Sequence, residues 1–155
     1  METMKDFVII TNEQLKWDDR FLSLAAEIST YSKDPSTQVG AVIVDAARRI
    51  VSTGFNGFPR GIDDDPTQLN DRDLKYRMII HAELNAILFA QRDLSGCTIY
   101  TYPMPPCAQC AAAIIQSGIK RVVSIDPTPA QRERWGGDWQ IANAMYQQAG
   151  VEVVL

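Results

Sequence analysis

Apolar and polar positions change rhythm several times along this chain, and each change predicts an element. Trp17, Phe21, Leu24, Ala25 and Ile28 recur at helical spacing behind Asp18 and Asp19, which predicts an amphipathic helix over about 18–32. The polar stretch SKDPSTQ (32–38) ends it. Two short apolar runs, VGAVIV (39–44) and IVSTGF (50–55), flank DAARR and predict a strand pair. The segment 56–73, NGFPRGIDDDPTQLNDRD, is rich in Gly, Pro and Asp and reads as a long loop, the kind that carries function or moves.

From about Ala82 to Arg92 apolar residues fall on all sides, which predicts a helix enclosed by its neighbours. Thr98–Tyr102 reads as a strand and Cys107–Gln116 as a helix, with Gly118 placed to stop it. A strand over Arg121–Ile125, a helix over Asp138–Ala149 closed by Gly150, and a last strand over Val151–Leu155 complete the pattern. A hairpin followed by alternating helices and strands predicts an α/β fold, a mixed sheet with helices on both faces. No repeat or linker divides the chain, so residues 1–155 are expected to form one domain, with 1–16 as an N-terminal extension.

Composition narrows the class. With 46% hydrophobic and 22% charged residues the chain is of the ordinary water-soluble type. No apolar run approaches the roughly 18 to 20 residues of a membrane span. The N-terminal stretch METMKDFVIITNEQLKW does not resemble a signal peptide, so no membrane partner and a cytoplasmic location are expected. A net charge of −4 weighs against a nucleic-acid partner, which usually meets a basic surface, and favours a small substrate. The odd count of three cysteines does not suggest a disulfide scaffold.

The stretch IIHAELNAI (79–87) places the only histidine and one acid among apolar residues. Elsewhere PPCAQC (105–110) supplies a C-x-x-C at the start of a predicted helix. Cysteines three apart there share a face, and the free N–H groups of the first turn favour thiolate. Such a pair serves either as a redox disulfide or as two metal ligands. A redox pair needs no distant histidine, whereas His81 with Cys107 and Cys110 makes three ligands and an open position, the pattern of a catalytic zinc.

Each element alone has a bland alternative. A single histidine in apolar context is more often a hydrogen-bonded core residue, and an isolated C-x-x-C is weak evidence. Together, 26 residues apart and each at a helix start, they point to metal binding. Glu83 then has a purpose. At a helix entry it can converge with His81 and act as a general acid–base beside a metal-activated water. Cys97 reads as a small buried hydrophobe.

His81-Ala-Glu83 with Pro106-Cys107-x-x-Cys110 resembles the signature of the zinc-dependent cytidine deaminase superfamily. Four further stretches, SKDPSTQVGAVIV (32–44), GFNGFPRG (54–61), KYRMIIHAELNAI (75–87) and CAAAIIQSGIKRVV (110–123), are similar to its deoxycytidylate (dCMP) deaminase branch. The resemblance spans about 17–155 and implies the three-layer cytidine deaminase-like fold with a five-stranded mixed sheet. It implies one Zn²⁺ per subunit on His81, Cys107 and Cys110, and Glu83 as the catalytic proton shuttle that converts dCMP to dUMP and ammonia. For the substrate it implies Asn56 and the backbone N–H of Ala82 as contacts, and places the 5′-phosphate at Ser32 and Lys33.

Relatives of this branch are hexamers activated by dCTP and inhibited by dTTP, with Mg²⁺, at sites between subunits. The stretch holding Gly54, Asn56, Gly57 and Gly61 resembles the effector loop. A homo-oligomer in pyrimidine deoxynucleotide metabolism, within the route to dTTP, is therefore what the resemblance implies. Two departures stand out. TYPMPPCAQC is one residue longer before the cysteines than the usual stretch, and a single histidine cannot furnish the second, structural zinc of some relatives.

Two other functions compete. A tRNA or other nucleobase deaminase shares both zinc motifs, although Asp63, Asp64, Asp65, Asp71 and Asp73 would repel a polyanion. A non-catalytic zinc-binding module would share the ligands but would gain nothing from Glu83.

Overall fold

The computed structural model describes residues 10–155. Helix α1 (Asn12–Ser29) begins earlier than the periodicity predicts, because Thr11 caps it by accepting from the Gln14 N–H. Residues 12–16 of the expected extension are thus helical, and residues 1–9 lie outside the described part. Strands β1 (Gly40–Val44) and β2 (Ile50–Phe55) form the expected antiparallel pair.

The expected loop 56–73 is only partly a loop. Two short helices, α2 (Pro66–Asn70) and α3 (Arg72–Met78), occupy its second half and the residues beyond it. Asp65 and Asp71 supply their N-caps, and Pro66 takes the first position of α2, where its missing N–H costs nothing. Helix α4 (Ala82–Ala90), strand β3 (Thr98–Tyr102), helix α5 (Ala108–Gln116) and strand β4 (Arg121–Val123) follow. Helix α6 (Pro129–Ala149) starts nine residues before the position predicted, and β5 (Glu152–Val154) closes the chain. A capping box between Thr128 and Gln131, with Pro129 at the first position, starts α6. The helix then runs through Gly136 and Gly137, residues of low helix propensity.

The sheet has the order β2-β1-β3-β4-β5, antiparallel across β1 and parallel from β3 onward. Alternation along the strands divides the core. Ala41, Ile43, Ile99 and Val122 face α4, α5 and α6, where they pack with Ala82, Ala86, Ala111, Ile114, Ala142 and Tyr146. Val42, Val44, Tyr100 and Val123 face α1 and meet Phe21 and Ala25. Under α1, Asp18 receives a bidentate pair from Arg121 at 2.7 and 2.6 Å and the Tyr100 hydroxyl at 2.7 Å. Burial alone would raise the Asp18 carboxyl, but these donors and Gln14 outweigh it and hold it below the usual range. The pair pins α1 across β3 and β4.

Two glycines bring backbone onto backbone. A Cβ at Gly40 would lie 2.1 Å from the Ala25 carbonyl oxygen, and one at Gly54 would lie 2.4 Å from that of Ala82. Gly54 therefore lets the start of α4 rest directly on β2. Contrary to the expected enclosure, α4 leaves Leu88 and Phe89 exposed at 56% and 55%, because only its opposite side meets the sheet. No helix among the described residues is long and apolar enough to cross a membrane.

Gly54→Ala is expected to lower unfolding stability by about 2 kcal/mol, since backbone must move to admit the methyl. A urea titration of the variant, showing a reduced midpoint at unchanged slope, checks this.

Candidate active site

Register puts the functional segments at one end of the sheet. Phe55 at the end of β2 and Tyr102 at the end of β3 both lie opposite Gly40, on either side of β1. The chain leaves both strands there, toward Asn56 on one side and Cys107 on the other. An isolated two-residue bridge joins Gly57 to Ile80, with hydrogen bonds of 3.1 and 2.8 Å, and so delivers the next residue, His81, to the same end.

His81 is the N-cap of α4 and Cys107 the N-cap of α5, both with extended backbone. At a cap the chain is still turning into the helix, so a side chain there can point along the helix axis. Cys110 sits on the first turn of α5, and its N–H lies 3.4 Å from the Cys107 sulfur. Two groups from α6 secure this turn. Asp138 accepts from the Ala108 N–H at 2.7 Å, where its charge also suits the helix dipole, and Trp139 donates to the Pro105 carbonyl at 3.2 Å.

His81 Nδ1 lies 3.4 Å from the sulfur of Cys107 and 3.4 Å from that of Cys110. The three donor atoms fall within 4.8 Å of one another. The Cys107 thiol is drawn down to about 4, by its interaction with Cys110 and, against burial, by His81 and the Cys110 N–H. Cys110 moves the other way, because its proton is held against the Cys107 sulfur, because it is buried, and because Glu83 is near. His81 is raised chiefly by the Cys107 sulfur. A divalent cation among these three groups would satisfy both thiolates and a neutral imidazole. The donor set fits zinc with one position left for a small ligand.

Glu83, at the second position of α4, is 4% exposed, and burial pushes its carboxyl up. It reaches the Cys110 thiol and feels the charges of His81 and Cys107. Glu83, His81 and Cys107 share a cavity of about 450 Å³ with Ala82, Asn56, Met104, Pro105 and Trp139. Ala82 is buried at the first position of α4, where its N–H has no helical partner.

Ser32 and Lys33, expected at a phosphate, do not line this cavity. Ser32 is buried and donates to the Asn56 carbonyl at 2.9 Å, and Lys33 pairs with Asp64 at 2.9 Å on the surface. Cations enter the wall from elsewhere, as Arg72 and Lys75 from α3 and Arg134 from α6. The Tyr76 hydroxyl accepts from Arg72 Nε at 3.2 Å and from Arg134 Nη2 at 3.3 Å. Neither guanidinium has a carboxylate partner among the described residues. Asp65-Pro66 and Asp71 were the available signals for α2 and α3, whereas nothing in the sequence pairs α3 with α6.

Of the expected effector stretch, Gly54 belongs to β2 and is packed against α4, and Asn56 is 6% exposed inside a hydrogen-bond network. Gly57 and Gly61 stand in open space. Cys97 is buried, apart from the cluster, with its thiol pushed up by burial.

Residues 15–125 match the family model described as "cytidine and deoxycytidylate deaminase zinc-binding region". The chain belongs to this family. It is 50% identical over 138 residues to an Aliivibrio fischeri protein named "uncharacterized deaminase in luxG 3'region", covering 89% of this chain and 92% of that one. It is 42% identical over 118 residues to human deoxycytidylate deaminase, covering 72% of this chain and 66% of that protein, so it spans just under two thirds of the human relative. Among solved structures it resembles the apo dCMP deaminase of cyanophage S-TIM5, with a TM-score of 0.68, 25% identity, and coverage of 94% of this chain and 98% of that one. The mixed five-stranded sheet is the family's, and the matched zinc-binding region includes His81, Cys107 and Cys110.

Cys107→Ser and Cys110→Ser are each expected to weaken zinc binding at least about 100-fold, more than loss of a supporting hydrogen bond would. Cys97→Ser should leave zinc binding unchanged. Competition with a chromogenic chelator measures all three.

Proposed function

We propose that this chain is a zinc-dependent hydrolase that deaminates dCMP to dUMP and ammonia. The observation that carries the proposal is the buried Glu83 carboxyl beside the His81, Cys107 and Cys110 donor atoms, at the floor of a cavity large enough for a nucleotide. When bound, zinc supplies a Lewis acid that makes water nucleophilic near neutral pH. Glu83 takes a proton from the attacking water and delivers it to N3 of the pyrimidine. It then carries the second proton to the departing amino group, so that water adds at C4 and ammonia leaves. Its raised affinity for protons, caused by burial, suits a group that must accept and release one in each turnover. The free N–H of Ala82 would meet the carbonyl oxygen of the base.

The same proposal gives the 5′-phosphate to Arg72 and Arg134 in place of Ser32 and Lys33. Two guanidiniums that share one tyrosine hydroxyl and have no carboxylate partner among the described residues are short of negative charge, which a phosphate dianion supplies. The similarity to human deoxycytidylate deaminase and to the phage dCMP deaminase supports the nucleotide. We place the reaction in the cytoplasm, where a reducing medium keeps the zinc-binding thiols free. Exposed Phe55, Leu88 and Phe89 support assembly as a homo-oligomer, a hexamer by family resemblance. Regulation by dCTP and dTTP with Mg²⁺ would fall to the open part of the loop, Gly57–Gly61, with exposed Arg60 as its cation.

Glu83→Gln should keep zinc and the fold but lose at least about 100-fold in ammonia release from dCMP. Turnover unchanged in that variant would refute the role given to Glu83. Arg72→Ala and Arg134→Ala should each raise the KM for dCMP about tenfold or more while leaving that for deoxycytidine little changed. Lys33→Ala is expected to change neither. Steady-state kinetics on the two substrates separate these outcomes.

A further inference from the structure

Tyr146 stands on the second half of α6, 3% exposed, and its hydroxyl has no hydrogen-bonding partner among the described residues. The side chain belongs to the apolar cluster that holds Ala82 and Ala86 of α4 and Ala111 of α5. Ala82 stands between His81 and Glu83 in the chain, and Ala111 follows Cys110. Tyr146 does not line the cavity, so it approaches the metal site from the core.

A phenylalanine would fill the same space without burying a donor, and an unmet buried donor lowers stability. The hydroxyl therefore asks for a use. Burial raises the phenol well above its ordinary range, and nearby Glu83, Cys110 and Cys107 raise it further when they are charged. It keeps its proton at neutral pH and is a donor. Glu83 and Cys110 also reach each other, but neither bonds the Tyr146 hydroxyl directly. Three polar groups that converge in an apolar core without all touching make the surroundings of a buried water, which typically forms about three hydrogen bonds.

We propose that Tyr146 is a positioning residue of the metal centre, its hydroxyl donating to one buried water that donates in turn to the Glu83 carboxylate and the Cys110 sulfur. The inference rests on the zinc-dependent deaminase reading above. One lone pair and both hydrogens of the water are then engaged. With zinc bound the Cys110 proton is gone, and its sulfur is open to a donor. The link steadies the Glu83 carboxylate and holds Cys110 in place, as outer partners do for metal ligands.

The test is Tyr146→Phe, which removes the hydroxyl and keeps the ring. Free of metal, the variant is expected to match or exceed the wild type in its urea midpoint, because it sheds an unmet donor. Its zinc affinity, by chelator competition, should fall about tenfold. In the cobalt-substituted protein the thiolate-to-metal absorption band should shift, since the Cys110 sulfur has lost a donor. On dCMP, kcat should drop about fivefold with KM little changed. Wild-type zinc affinity together with an unshifted cobalt band would overturn the inference. So would a metal-free variant destabilised in step with its loss of affinity, the mark of a purely packing role. A crystal structure of the zinc-loaded wild type decides the matter even if the variant does not fold. One water bonded to Tyr146 Oη, Glu83 and Cys110 Sγ supports the link, and a hydroxyl touching only apolar atoms overturns it. Failure of the wild type to release ammonia from dCMP would overturn the deaminase reading alone, because metal affinity, spectrum and structure judge Tyr146 without turnover.

Discussion

Two helix N-termini meet at one end of the sheet, and everything the site can do follows from that meeting. His81 opens α4 and Cys107 opens α5, and the imidazole nitrogen stands 3.4 Å from each sulfur. The meeting is brought about by backbone. Phe55 and Tyr102 flank Gly40 in register, Gly54 admits the first turn of α4 onto β2, and the Gly57–Ile80 bridge sets the entry of His81. Side chains of α6 then hold the opposite turn, through Asp138 and Trp139. A metal site assembled from caps is rigid, because moving a cap means moving a helix.

The cavity is electrostatically divided. Its floor collects the sulfurs of Cys107 and Cys110, the imidazole of His81 and the buried Glu83, a donor set suited to a cation. Its wall on the α3 and α6 side carries Arg72 and Arg134, joined through Tyr76 and without carboxylate partners among the described residues. Between these lies Asn56, whose hydrogen-bonding polarity is set by backbone and by the Asp34–Lys75 pair. On the proposed reading, the phosphate of a nucleotide meets this wall and its base meets the floor.

Strands and the zinc-motif helices were legible because their signals are local. Alternation of apolar residues located β1, β2 and β3 to within a residue, and Gly118 and Gly150 marked where α5 and α6 stop. The helices that were missed or shortened also carried local signals, of a quieter kind. Asp65-Pro66, Asp71 and the Thr128–Gln131 box are caps, which add only about 1 kcal/mol each and are hidden by a polar, glycine-rich context. Leu88 and Phe89 show the reverse error. Apolar character on all sides of α4 implied enclosure, but the fold leaves that side uncovered.

By itself the sequence determined the strands, the two zinc-motif helices, the donor types and their order, since hydrophobic period and residue chemistry are properties of neighbours along the chain. His81, Glu83, Cys107 and Cys110 could be named from it because the metal demands soft and imidazole ligands at helix starts. Only the tertiary structure decided what faces the ligand elsewhere. Lys33 and Lys75 are both lysines near the right motifs, yet one is tied to Asp64 at the surface and the other is buried against Asp34. Arg134 lies 58 residues from Tyr76 and shares its hydroxyl all the same. Which cation is free and which is spent depends on partners distant in sequence, and a local pattern holds no record of them.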